Sequence, residues 1–365
     1  MQNNNERIFA LDGLRGIAAL SVFVQHFAAD APWHPHTFAW AGLVGVQLFF
    51  VLSGFLMGRN YSTAPISGAA VLDFWVKRVA RVVPLFYICI TAAYAWLWLT
   101  GQIRPFYAVE WKMWWQHYLF WNGQSVFWTI PPEMQFYLVF PLIWLLCQRL
   151  GTAANFLLIL AVAICQMAAI GTPLFMAYAS LFVAGVVAGR ITLAPEKSYD
   201  VPFVVLIVFY VISWPGMIDV LGLPKSLYSG LSQGPLYLIY LPALVLVATA
   251  SPLAWRLLGR GVLRRYGDMS YSVYLLHGPI YFGLKMWTPI ALLPAAIWFL
   301  LTLAVVTVVS HYSFRYVETP LRRRISRLAP KPPANAPLQP AANGGDGVRS
   351  GRPAPEEALV TPALT

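Results

Sequence analysis

Apolar residues run in long blocks along this chain, separated by Pro, Gly and clusters of charge. A helical span across a hydrocarbon core takes about 17–25 residues, and blocks near that length recur over nearly the whole sequence. They predict about ten spans, near 8–28, 41–58, 83–100, 133–149, 153–170, 174–189, 201–217, 234–250, 269–287 and 292–313. The expected fold class is therefore all-α, a polytopic bundle of transmembrane helices. Residues 1–328 read as one membrane domain with short connections. From 329 the sequence changes to Pro, Ala and Gly with scattered charge; such a segment buries too little apolar surface to fold, so 329–365 is expected to be a disordered tail.

Composition agrees with the pattern. Of 365 residues, 59% are hydrophobic and 11% charged, a balance that a soluble core could not bury. Asp12 and Arg15 interrupt the first apolar block and no small-residue cleavage site follows, so it is expected to stay as a span and not to leave as a signal peptide. The three cysteines, Cys89, Cys147 and Cys165, lie in apolar sequence without metal-ligand spacing and read as buried thiols, with no metal site expected.

The excess of 25 Lys and Arg over 14 Asp and Glu has a simple use in a membrane protein, because basic residues collect in cytoplasmic loops. With the N-terminus inside, the inner loops and ends take Arg59, Lys77, Arg78, Arg81, Arg149, Arg190, Arg256 to Arg265 and Arg315 to Arg327. The outer ones hold only Arg104, Lys112, Lys225 and Lys285. The asymmetry predicts an even number of spans with both termini cytoplasmic, and it makes nucleic acid an unneeded partner; membrane lipid is the expected one. One longer outer segment, 101–132, is rich in rings (Trp111, Trp114, Trp115, Tyr118, Phe120, Trp121). It reads as an interfacial or re-entrant element, with a glycan-stacking platform as the sharper alternative.

Chemistry concentrates in the first span, LDGLRGIAALSVFVQHFAAD. A charge at membrane depth costs about 2.5–3.5 kcal/mol on insertion scales, and anchoring alone does not need it. Arg15 and His26 are eleven residues apart, so on an unbroken helix they return to within about 20° of one face, separated by roughly 16 Å along the axis. Snorkelling to headgroups would explain Arg15 alone and a satisfied packing histidine would explain His26 alone. Their shared face favours one groove meeting both, with an anion held at Arg15 and His26 about one extended pantetheine arm away. That geometry assumes no kink at Gly16.

The run LDGLRGIAALSVFVQH, with ten residues between Arg15 and His26, resembles the first-span motif of the membrane-bound acyltransferase 3 family. GVQLFFVLSGFLM (45–57), RVARVVPLFY (78–87), WTIPPEMQFYLVFPL (128–142), SYSVYLLHGPI (270–280) and YVETPLRR (316–323) resemble its further motifs, in order. The resemblance spans about residues 8–325. It implies transfer of an acyl group, often acetyl, from a cytosolic acyl-CoA to a carbohydrate or lipid-linked glycan at or beyond the bacterial inner membrane. No cofactor is implied beyond this donor substrate.

By the same resemblance His26 is the catalytic residue, as general base or as nucleophile, and Glu133 is its partner at the same level, fixing the tautomer. Glu133 also reads as a carboxylate at a helix start after Pro131 and Pro132. Arg78 and Arg81, three residues apart, are expected with Arg15 at the CoA phosphates, because the guanidinium fork matches phosphate. Asp12, Ser53, Gly54, Trp128, Tyr137, Ser270, Tyr274 and His277 are expected near the cavity, with close helix packing the plainer reading for Ser53 and Gly54. Glu318 is expected to pair with Arg315 or a neighbouring arginine, and His311 carries no assignment.

Three departures stand out. Gln47 occupies a position that is often Asp in the motif, Thr129 replaces a frequent Ser, and no esterase-like domain follows the last span. If transfer needs such a domain, it is expected on a separate extracytoplasmic partner. The reading from another class is a transporter or flippase using buried Arg, His and Glu as a substrate or proton path; the lack of an internal repeat weakens it.

Overall fold

The computed structural model describes residues 7–29, 37–103, 107–168, 174–228, 231, 236–287 and 293–330; the side chains of 165–177, 228 and 287 are not described. Arg104, the Cys165 side chain and the segment beyond 330 therefore lie outside the described residues. Among these residues the regular structure is entirely helical. In chain order the α-helices are α1 (Phe9–Ala28), α2 (Ala41–Tyr61), α3 (Gly68–Thr100), α4 (Trp114–Tyr118), α5 (Ile130–Leu150), α6 (Ala153–Ala168), α7 (Leu174–Gly189) and α8 (Asp200–Ile212). There follow α9 (Pro215–Val220), α10 (Ser226–Tyr228), α11 (Tyr237–Ala250), α12 (Pro252–Leu258), α13 (Gly261–Asp268), α14 (Ser270–Trp287), α15 (Ala295–Ser313) and α16 (Thr319–Ser326).

Each apolar block of the sequence carries a helix, but the lengths differ from expectation in informative places. α3 begins at Gly68, fifteen residues before the block at 83. Its start is set by Ser67, whose side chain accepts the Ala70 N–H, and its first turns are tied by a Lys77–Asp73 pair of 2.7 Å. Arg78 and Arg81 are therefore helical and not loop residues. α8 stops at Ile212 before Pro215 opens α9. α11 and α12 meet at Ser251 with a bend of 92°. α15 runs through a π-helical turn, Phe314–Glu318, into α16.

Among the described residues four helical stretches are long and apolar enough to cross a membrane: Ala41–Tyr61, Gly68–Thr100, Ser125–Leu150 and Ala295–Ser326, with a fifth if α11 and α12 form one bent span. The other helices are shorter or, as in α1, interrupted by charge. Leu138, Leu142, Phe156, Val201, Ile239 and Leu300 stand exposed on helix flanks, an outer apolar surface that water would penalise and lipid would cover. The chain is a membrane protein.

α1 lies at the centre, packed on α2, α12, α13 and α14. It is unbroken across Gly16, which is used for close approach: a Cβ there would collide with the Leu263 carbonyl of α13. Gly54 serves the same purpose against the Phe182 carbonyl of α7, so its packing reading holds. Prolines inside helices leave carbonyls four residues back without their usual donor, and side chains fill two of them. Tyr107 Oη donates to Leu275 O, 2.9 Å, below Pro279; Trp75 Nε1 donates to Tyr137 O, 3.0 Å, below Pro141. In an apolar surround such compensation is what lets a proline stay within a helix.

Candidate active site

Three neighbouring cavities, which share lining residues, lie along the bundle. At the basic end a vestibule of about 330 Å³ is lined by Arg7, Asp12, Arg15, Arg59, Arg81, Asp268, Glu318 and Arg322, with Tyr271 and Ser270. It opens into a waist of about 50 Å³, which shares Arg15, Arg81, Ser270 and Tyr271 with the vestibule and adds Ser53, Thr129, Glu133 and Tyr274. Beyond the waist, sharing Val46 and Tyr274, lies a chamber of about 630 Å³ lined by His26, His277, Trp40, Trp128, Tyr107, Tyr178 and Phe282. Arg15 and His26 bracket the waist from opposite sides, as the helical spacing predicts.

Charge in the vestibule is only partly balanced. Asp12 pairs with Arg7 at 2.7 Å and with Arg15 at 3.6 Å, and Arg7 also contacts Asp268. Arg59 Nε is buried without a hydrogen-bond partner among the described residues, and Glu318 accepts from Ser272 Oγ at 3.1 Å. No arginine lies within ion-pair distance of Glu318 among the described residues, which corrects the expected Arg315 pairing; the π-helical turn places the carboxylate toward α14. Arg59, Arg322 and Tyr271 were not singled out by the sequence. Arg322 and Tyr271 do fall within quoted motifs, and Arg59 follows one by two residues.

The arginines of α3 part company. Arg81 faces the vestibule and waist, whereas Arg78 lies over the rings of Phe74, Tyr137 and Tyr61 at 5.4, 5.6 and 5.9 Å. Its Nε has no hydrogen-bond partner among the described residues. Three helical positions leave a turn about 60° short, enough to send the two forks to different neighbours.

Glu133 sits in the first turn of α5 behind Pro131 and Pro132, where a carboxylate suits the helix N-terminus. It lines the waist and not the chamber, accepting from Ser53 Oγ at 3.2 Å and from Tyr137 Oη. The expected placement of Glu133 against His26 is corrected: the ring facing His26 is His277, with 3.2 Å between nitrogens and 4.9 Å between ring centroids. Ser53 proves to line the path as well as to pack. Tyr274 joins waist and chamber, donating to Val126 O at 2.8 Å while receiving from Thr129 Oγ1 at 3.0 Å. The Thr at 129 thus keeps the hydroxyl function expected of a Ser.

A cap formed by 107–129 closes the chamber side. His117 is fully buried: its Nε2 accepts the Gln124 N–H at 2.9 Å, so Nδ1 carries the proton toward Met113 O and Tyr94 Oη. Burial pulls its pKa below the usual 6.5. Glu110, half-buried and paired with Lys112, is held below the ordinary carboxylate value. Trp111, Trp114, Trp115 and Trp121 point outward and are exposed. Their exposure fits an interfacial element, while Tyr107 and Trp128 of the same segment line the chamber with Trp40.

A family model described as an acyltransferase domain matches residues 8–314. The chain belongs to the acyltransferase 3 family. Among curated relatives of this acyltransferase 3 chain, the O-acetyltransferase OatA of Staphylococcus aureus is 24% identical over 363 residues, covering 86% of this chain and 57% of its own. The peptidoglycan O-acetyltransferase OatA of Listeria monocytogenes is 23% identical over 366 residues, covering 86% and 56%. The chain thus spans little more than half the length of these relatives. Comparison with solved structures returns no match.

Proposed function

We propose that this chain is an integral membrane O-acyltransferase that moves an acyl group, acetyl in the simplest case, from acyl-CoA to a hydroxyl of a cell-envelope carbohydrate or lipid-linked glycan. The observation that carries the reading is the succession of an arginine-lined vestibule, a narrow waist and an aromatic chamber holding His26 and His277, each sharing lining residues with the next. Family membership and relatives named as O-acetyltransferases support it.

In this reading the basic end faces the cytoplasm of a bacterial inner membrane, and the apolar blocks together make about ten spans with both termini inside. Arg15, Arg81, Arg59 and Arg322 hold the CoA phosphates through charge-assisted bonds. The pantetheine arm threads the waist, where Ser53, Thr129 and Glu133 offer hydrogen bonds to its amides. The thioester then reaches the chamber, where Trp40, Trp128 and Tyr178 offer apolar faces to a sugar. His26 takes the proton of the acceptor hydroxyl as its oxygen attacks the thioester carbonyl. The C–S bond breaks, and the departing thiolate receives that proton. An acyl-His26 route, with the imidazole as first nucleophile, uses the same atoms in two steps. Where the final acceptor lies beyond the membrane, a separate extracytoplasmic transferase carries the acyl group on to it.

The narrow waist, about 50 Å³, suits a linear arm, which needs only a thread of space. The test is mass spectrometry of envelope glycans from cells with and without the protein and with His26→Ala. The expected result is an added acyl mass with the wild type alone. Equal acylation by a correctly inserted His26→Ala variant refutes the assignment.

A further inference from the structure

His277 is 251 residues from His26 in sequence and almost wholly buried beside it. The hydrogen bonds around the two rings fix where their protons sit. A carbonyl oxygen only accepts, so a ring nitrogen bonded to one must carry hydrogen. His277 Nδ1 lies 2.7 Å from Tyr274 O and 3.2 Å from Val273 O. Its proton is therefore on Nδ1, and the neutral ring keeps a lone pair on Nε2.

That lone pair points at His26 Nδ1, 3.2 Å away, and His26 Nδ1 is also 3.0 Å from Val22 O. Both neighbours of His26 Nδ1 accept. The nitrogen between them must donate, which leaves the lone pair of a neutral His26 on Nε2. The opposite tautomer would set a lone pair against two acceptors in a surround where an unsatisfied polar group is costly. Charging His277 instead would bury an imidazolium and still leave His26 Nδ1 facing Val22 O.

We propose that His277 is a positioning residue that holds His26 in the tautomer whose Nε2 carries the reactive lone pair; the inference rests on the acyl-transfer reading above. Val22 O holds the ring weakly, because in the helix it already accepts the backbone N–H of His26. His277 supplies the directed acceptor that comes from another helix, α14. As Nε2 takes the hydroxyl proton, His26 becomes an imidazolium whose Nδ1–H donates to the His277 lone pair. A neutral ring thus does what a carboxylate does elsewhere, without placing a second charge at depth. If the acyl group goes first to His26, the same tautomer presents the same nitrogen.

The test combines a spectroscopic and a kinetic reading on the full-length protein in detergent. Histidine labelled with ¹⁵N reports which ring nitrogen is protonated, and the His26 signals are those lost in His26→Ala. Transfer is followed with radiolabelled acetyl-CoA and the isolated envelope glycan of the expressing cells. The expected wild-type result is a protonated Nδ1 and a bare Nε2. His277→Ala should mix the tautomers and lower kcat about a hundredfold with KM for acetyl-CoA unchanged. In His277→Gln, a side-chain oxygen can take the place of Nε2 as acceptor, so the tautomer should persist with about a tenth or more of kcat.

A wild-type His26 protonated on Nε2 overturns the proposal. So does a His277→Gln variant that falls as far as His277→Ala with its His26 tautomer unmoved, since that is a packing effect. An inert His26→Ala beside a fully active His277→Ala removes the positioning role alone, whereas wild-type transfer by His26→Ala removes the acyl-transfer reading itself.

Discussion

Gly45→Ala tests whether the path depends on the spacing of α1 and α2. A Cβ at Gly45 would lie 2.7 Å from the Ala18 carbonyl oxygen and 3.3 Å from Ser21 Cβ, where ordinary contact begins at 3.4 Å. Both obstacles belong to α1 between Arg15 and His26, and the oxygen is backbone, so no rotamer change relieves it. The helices must part by somewhat under about 1 Å, an overpacking that costs about 1–3 kcal/mol. Val46, the next residue, lines both waist and chamber, and Ser53 two turns on lines the waist. Shifting this wall relative to Arg15 misaligns donor and histidine, and displacements of about 1 Å cost up to 10²-fold in rate. The expected outcome is a lower unfolding midpoint in detergent and a drop in acyl transfer of about tenfold or more. Gly68→Ala is the control: nothing lies within 4 Å of its Cβ position at the start of α3. There Ala replaces Gly in a helix, which should stabilise by up to about 1 kcal/mol and leave transfer unchanged. Two variants that behave alike in both assays would refute the reasoning.

Further outcomes follow from the same structure. Arg81→Ala should raise KM for acyl-CoA about tenfold or more, and by more than Arg78→Ala, since only Arg81 faces the vestibule; titration of CoA against the purified variants measures both. Arg78→Ala should instead lower thermal stability, because it removes a cation from three aromatic faces. For the cap, the folded-state pKa of His117 lies below 6.5, so the unfolded segment binds the proton more readily and stability is lost as pH falls below 6.5. Hydrogen exchange over 107–124 should accelerate between pH 7.5 and pH 5.5 relative to its intrinsic rate, and His117→Gln should remove that dependence. A cap equally protected at both values refutes the assignment of His117 as its buried neutral centre.

How far the sequence could be read depended on distance along the chain. Arg15 and His26 share one unbroken helix, so its period was enough to place them on either side of a passage. Gly16 was the uncertain step, and the close approach of α13 explains the glycine without a kink. Relations between helices were not legible in the same way. The motif resemblance and depth suggest Glu133 beside His26, but neither fixes azimuth, and Ser53 and Tyr137 draw the carboxylate into the waist. Arg78 and Arg81 were grouped by spacing, yet the aromatic rings of α2, α3 and α5 claim one of them. His277 was visible only as a cavity-lining residue, since nothing local indicates a partner on the first helix.

The position of Glu133 bears on how the protein keeps its two sides apart. A route joining two aqueous spaces through a bilayer leaks unless its narrowest part is either dry or held shut. Here the narrowest part is mixed, with Arg15, Arg81 and Glu133 set among Val46, Phe49, Phe50, Val82 and Ile130. Groups of both signs line this small space, and in low dielectric their fields are strong. They would also draw in any arm that supplies both donors and acceptors, and amides do. The two side chains that hydrogen-bond to Glu133 come from α2 and α5, so the carboxylate is positioned by the protein and not by a solvent shell. On the proposed function, a narrow waist whose few polar groups bind amides delivers the donor to the chamber. Placing Glu133 there, one cavity away from His26, leaves the histidine pair to handle the proton.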